Sequence, residues 1–189
     1  MRHWLYTGKK RHLDGKYCRR QQGTAGSGGG NRMNCRVRPA EPVDLQEVQE
    51  LYSMLFARMA ELDPYACRAG QQAEEFLCGL IQEPDSELLL ALQQEEVVGF
   101  AALKIMQTPP YACLQPHRYC YIFDLAVQKK RRGKGIGTLL LKEAERWARE
   151  RGAEYMELGV LEANQGAQRL YARCGYLGAM RTLRKRIEL

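Results

Sequence analysis

The sequence predicts an α/β fold, a mixed central sheet flanked by helices. Three observations predict it. Short apolar, β-rich runs occur between segments whose apolar residues recur every three to four positions. A basic, glycine-rich stretch joins one such run to the start of one such helix. The chain of 189 residues has room for one domain of ordinary size plus an extension, and it shows no internal repeat.

The elements follow in order. Residues 35–38 (CRVR) alternate like a first strand. Residues 41–62 carry Val43, Leu45, Val48, Leu51, Tyr52, Leu55, Phe56 and Met59 as a helical stripe, begun near Pro42 or Asp44 and stopped at Asp63-Pro64. A second helix is expected over residues 71–81. Residues 87–92 and 97–106 read as paired strands around the polar turn 93–96. A proline-bearing loop, 107–116, leads into a strand over residues 117–127. The next helix is expected over residues 138–151, packing through Leu140, Ala144, Trp147 and Ala148, with Gly152 as its stop. A strand at 155–160, a helix within 161–176 and a final strand within 180–188 complete the layout.

Charge divides the chain in two. Residues 1–32 hold eight Lys or Arg and one Asp, a net of +7, which is the whole formal excess; residues 33–189 balance 21 basic against 21 acidic groups. The first segment also contains TAGSGGGN, a tract whose ordering is entropically costly. It is expected to be a flexible basic arm outside a single domain over residues 33–189. Such an arm could bind nucleic acid or an anionic surface through charge, but the neutral remainder carries no nucleic-acid recognition motif. No apolar run approaches the length of a membrane span, and the basic start lacks the apolar core of a secretory signal. Seven cysteines without a CxxC pair, beside three histidines, argue against zinc and for free thiols in a reducing cytosol.

The most informative stretch is residues 131–140, RRGKGIGTLL, which follows the run YCYIFDLAV at 119–127. Gly133, Gly135 and Gly137 at alternate positions permit a tight turn that gathers backbone N–H groups toward one point. The helix that begins there adds unpaired N–H groups and the positive end of its dipole. Arg131, Arg132 and Lys134 add positive charge. Together these features suit a phosphate or pyrophosphate. A nucleotide P-loop requires Ser or Thr after Gly-Lys, and here Gly135 follows; a dinucleotide fingerprint requires Gly three positions after Gly137, and Leu140 stands there.

The pattern that does fit is Arg132-x-x-Gly135-x-Gly137 after a strand ending Leu125-Ala126-Val127. In this the chain resembles the GNAT superfamily of acyl-CoA-dependent N-acyltransferases. A second motif strengthens the resemblance: after the strand at 155–160 come Asn164, Ala167, Leu170, Tyr171, Gly175 and Tyr176 in the family's order and spacing. The resemblance runs from about Cys35 onward and is strongest over residues 119–176. It implies the GNAT fold, with a splayed parallel strand pair at residues 117–127 and 155–160, and direct transfer of an acetyl group from acetyl-CoA to a primary amine. It implies that main-chain groups of Leu125 and Val127 hold the pantetheine and that the N–H groups of residues 132–138, Arg132, Gly133, Lys134, Gly135, Gly137 and Thr138 among them, cradle the pyrophosphate. It also implies that Asn164 contacts or positions the pantetheine and that Tyr171 donates to the departing thiolate.

The base is left open. Many family members carry Glu just before the Asp-Leu-x-Val stretch, where this chain has Phe123. Strand alternation turns the adjacent Asp124 to the face opposite Phe123 and Leu125, so a structural carboxylate is as good a reading as a catalytic one. His117, Tyr119, Tyr121 and a water relay are the other options. The acceptor pocket is expected from the first two helices and the loop at 107–116, with Tyr52, Phe56, Met59, Tyr65, Tyr111, His117 and Tyr119 as candidates and Asp63, Glu74 and Glu75 as possible attractors of a cation. A small amine, an amino acid and a peptide N-terminus all fit. An acyl-CoA sensor without turnover is the rival reading, no metal is called for, and a homodimer is expected by analogy alone.

Overall fold

Strand formation follows from apolar runs that must be buried on both faces. The computed structural model describes residues 35–187; the basic segment 1–32 and its expected arm lie outside them. Strand β1 is Cys35–Pro39, β2 Ser86–Gln93, β3 Glu96–Gln107, β4 Arg118–Val127 and β5 Tyr155–Leu158. Helix α1 is Leu45–Leu62, α2 Glu74–Gln82, α3 Ile136–Glu150 and α4 Gln165–Arg173. The sheet runs β1-β2-β3-β4-β5, antiparallel except for the parallel pair β4–β5. This is the mixed sheet expected.

Helices cover both faces. Leu140, Leu141, Ala144, Trp147 and Ala148 of α3 pack on Leu89, Leu103, Cys120 and Ile122. On the other face Val48, Leu51 and Tyr52 of α1, with Leu77 and Leu80 of α2, pack on Leu88, Leu90, Phe100, Ala102 and Ala126. That double coverage explains the unbroken LLLAL of β2, which has no polar face. Helix α1 starts from a 3-10 turn, Pro42–Asp44, where the Glu41 and Asp44 side chains each accept from the other end of the turn in a capping box. Asp44 also takes two bonds from Arg38, at 2.7 and 2.8 Å.

Several boundaries depart from expectation. Helix α2 begins at Glu74 rather than Gln71, and α3 begins at Ile136 rather than Thr138. Strand β5 ends at Leu158, two residues early, because its register with β4 stops at Ile122↔Leu158. Beyond that point residues 123–127 of β4 have no strand beside them on the β5 side, which is the splay. The expected final strand is absent among the described residues: residues 177–187 are irregular. Their basic side chains are drawn to acidic and aromatic partners off the sheet, Arg181 to Glu162 at 3.0 Å, Arg184 to Asp63 at 3.0 Å and Arg186 over the Tyr65 ring. Among the described residues no helix is long and apolar enough to cross a membrane.

Candidate active site

The loop between β4 and α3 takes the shape its glycines permit. Gly133 and Gly135 have φ of 76° and 82°, and Gly135 is the N-cap of α3. A side chain at either would strain the left-handed backbone. Gly137 is needed for another reason: it is helical, and a Cβ there would lie 2.9 Å from Leu170 Cδ2 of α4. The third glycine therefore makes room for the second motif rather than bending the loop. Helix α3 presents its free N–H groups at this point with no side-chain cap to occupy them.

A cavity of about 790 Å³ opens over the loop. Of the residues the sequence singles out, Leu125, Val127, Arg132, Gly133, Gly135, Gly137, Thr138, Asn164 and Tyr171 line it. Lys134 does not: it stands exposed between the two left-handed glycines, away from the lining. The other two cations are held back, Arg132 donating from Nε to the Val127 carbonyl at 3.0 Å and Arg131 pairing with Glu96 at 2.9 Å. Both still line the cavity, and Arg58, Arg169 and Arg173 line it with them. Sequence reasoning missed these last three, although the four-residue spacing of Arg169 and Arg173 on an amphipathic helix was visible. Asn164 is the N-cap of α4, its Oδ1 accepting from Ala167 N at 3.2 Å.

A smaller pocket of about 110 Å³ adjoins it, and Leu55, Leu125, Asn164, Ala167 and Tyr171 belong to both linings. Met59, Phe123 and Asp124 line the small pocket only. The presence of both Phe123 and Asp124 corrects the alternation argument. The β3–β4 register passes from Ala102↔Asp124 to Leu103↔Ile122, so Phe123 is an extra, bulged residue. The bulge reverses the side-chain parity of β4. Cys120 and Ile122 face α3, whereas beyond the bulge it is Asp124 and Ala126 that face α1. A bulge has no local signature in YCYIFDLAV, so the sequence could not disclose it.

Asp124 accepts a hydrogen bond from the buried Tyr52 hydroxyl at 3.1 Å. Burial pushes its carboxyl up to about 6, with the Tyr52 hydrogen bond opposing the rise in part. Tyr171 is pushed up to about 12 by burial and then by the negative charge of Asp124. Its hydroxyl donates to no group among the described residues, so it is available to one entering the cavity. His117 is excluded from this group by position. It precedes β4, at the opposite end from Asp124, and its Nδ1 lies 2.7 Å from Glu154 Oε2. Tyr52 is core as well as site, and Phe56 packs against it at 5.4 Å. Tyr65 and Asp63 are taken by Arg186 and Arg184. Cys174 sits half-buried with Sγ 3.9 Å from Thr138 Oγ1, and all six described cysteines are free. Among the described residues no group of three or more His, Cys, Asp or Glu could hold a metal.

Comparison with known proteins agrees with this geometry. The family model described as "Acetyltransferase (GNAT) family" matches residues 46–176. The aminoalkylphosphonate N-acetyltransferase of Salmonella typhimurium is 34% identical over 142 residues, covering 75% of this chain and 84% of that protein. The aminoglycoside N(6')-acetyltransferase type 1 of Klebsiella aerogenes is 36% identical over 124 residues, covering 61% and 72%. Among solved structures, a mutant of the BH1408 protein from Bacillus halodurans superposes with a TM-score of 0.77 at 22% identity, over 81% of this chain and 99% of that one. The aminoglycoside N-acetyltransferase AAC(6')-Iy in complex with CoA superposes at 0.61 with 17% identity, over 82% and 100%. With the match over residues 46–176, the splayed β4–β5 pair and the left-handed glycine loop all in agreement, the chain belongs to the GNAT family of acetyltransferases.

Proposed function

We propose that this acyltransferase moves an acetyl group from acetyl-CoA to the primary amine of a small acceptor, with Asp124 as base and Tyr171 as acid. The observation that carries the reading is the junction of the two cavities. Tyr171 lies in the wall they share, and Asp124 lies only in the smaller one. The larger cavity suits the cofactor, with the α3 N–H groups at Gly135–Thr138 for the diphosphate and the open flank of Leu125–Val127 for the pantetheine. Arg58, Arg169 and Arg173 supply positive charge beside that of Arg131 and Arg132. The smaller pocket suits the amine.

The amine must shed a proton to attack. An ordinary alkylammonium has a pKa of ~10.4. A carboxylate raised to about 6 accepts that proton at a cost lower by about 3 kcal/mol than one at 3.8. Nitrogen then bonds to the acyl carbon, the carbon–sulfur bond breaks, and the thiolate takes a hydrogen bond or proton from Tyr171, which water restores. Full transfer from a phenol at about 12 to a thiolate of pKa ~8.5 is uphill, so donation as charge builds is the larger part of its role. Asn164 contributes by capping α4 and so fixing Tyr171, two turns along the same helix.

Thiol release from acetyl-CoA across a panel of small amines tests the proposal, beside calorimetry of CoA binding. Amine-dependent release with binding at micromolar to millimolar cofactor is expected. Binding without release from any amine would leave an acyl-CoA sensor, and no binding would remove the cavity assignment.

A further inference from the structure

We infer that the acceptor site continues from the Asp124 pocket along an aromatic shelf edged by Glu157, and that it takes an amine bearing a second positive charge. The inference rests on the transfer reading above and narrows its acceptor. Cys120 and Ile122 face α3, so Tyr119 and Tyr121 face the other side of β4. Phe123 faces that side too, its ring edge-on to Phe76 of α2 at 5.8 Å and to Tyr121 at 5.3 Å. From β5, Tyr155 stacks on Tyr119 with centroids 5.0 Å apart and planes 3° from parallel. The result is a row of rings along the sheet, of which Phe123 is 37% and Tyr155 40% exposed.

The shelf starts at the pocket. Phe123 and Gly159 line it, and a Cβ on Gly159 would lie 3.5 Å from the Tyr121 hydroxyl. Glu157 stands directly beside Tyr121 in the parallel register and shares its face. Among the described residues it forms no ion pair. The basic side chains flanking this row are engaged elsewhere: Lys104, opposite Tyr121 on β3, lies 2.6 Å from Glu83, and His117, whose ring is edge-on to Tyr155, lies 2.7 Å from Glu154. Aromatic cross-strand pairs alone stabilise a sheet, but they leave the carboxylate unexplained. Ring faces beside an uncompensated carboxylate attract an ammonium and repel a phosphonate or carboxylate. With Phe123 bulged, Asp124 and Tyr121 lie opposite Ala102 and Lys104 of β3, two residues or roughly 7 Å apart at 3.3 Å per residue, within the reach of a flexible six-carbon diamine.

The test compares kcat/KM for 1,6-diaminohexane, corrected for its two amines, with 1-aminohexane and 6-aminohexanoate, using the full chain. Wild type is expected to favour the diamine over the alkylamine by about tenfold or more, with the aminohexanoate poorest. Glu157→Gln is expected to collapse that ratio to within about threefold, and Tyr121→Leu to lower it. An equal rate for diamine and alkylamine in wild type, or an unchanged ratio in both variants, would overturn the inference. Calorimetric titration of the CoA-loaded protein with 1,6-diaminohexane gives a readout without turnover, where Glu157→Gln should weaken binding about tenfold. If no amine is acetylated the transfer reading falls, while this titration still decides the shelf. If Glu157→Gln fails to fold by circular dichroism, Tyr121→Leu decides it.

Discussion

The Tyr52 hydroxyl reaches across 72 residues of chain to donate a 3.1 Å hydrogen bond to Asp124. One partner is anchored in the core of α1, and the other lies beyond the bulge of β4. The bond stabilises the ionised carboxylate against the burial that disfavours it. Tyr52→Phe should therefore raise the Asp124 pKa and move the rising limb of the pH–rate profile, expected near pH 6 in wild type, to higher pH. A limb that stays in place would separate Tyr52 from the titration.

Asp124→Asn should lower kcat by about 10²–10⁴ and abolish the limb near pH 6. It should also stabilise the fold at alkaline pH. A carboxyl whose folded pKa is raised favours folding while protonated, and that contribution is lost as pH rises from the unfolded value near 3.8 through the folded value of about 6. Denaturant melts of wild type and variant at pH 4 and pH 8 measure this, and the gain should appear at pH 8 only.

Tyr171→Phe should reduce kcat by roughly 10–1,000-fold with little change in CoA affinity, since the lost group acts on the leaving thiolate. Stopped assays of thiol release and CoA calorimetry on the same protein give both numbers. Unchanged turnover would make Tyr171 a packing residue beside Tyr176.

Gly135→Ala and Gly137→Ala should behave differently. The first forces alanine into φ 82° at the N-cap of α3, costing about 1–2 kcal/mol and raising the KM for acetyl-CoA. The second meets only the movable end of Leu170 at 2.9 Å. Its penalty should fall mainly on the seating of α4, read as lower kcat with a smaller change in KM for acetyl-CoA.

Asp44→Ala should cost about 1–2 kcal/mol by removing the capping box at the start of α1. Arg38 first, and the Glu41 N–H with it, hold the Asp44 carboxyl below the usual range. That stabilisation is present above the unfolded pKa and is lost as pH falls through the lowered folded one. The difference between wild type and variant in thermal melts should therefore shrink in acid.

The local chemistry of the chain was readable from its residues. Glycines at 133 and 135, the basic turn before them, the apolar period of α1 and α3, and the order of the two motifs each act over a few residues. Backbone preferences and side-chain periodicity decide such features without reference to the rest of the molecule. What needed the folded chain were the matters of register and cross-chain contact. The bulge at Phe123 arises from how β4 lies on β3, and it alone turns Asp124 into the pocket. Gly137 is explained only by Leu170 on a helix met later in the sequence. Residues 180–187 have the apolar content of a strand, yet their arginines find partners on Asp63, Tyr65 and Glu162 that no local pattern announces. A strand's alternation says which residues share a face, and only its neighbours decide where that alternation breaks.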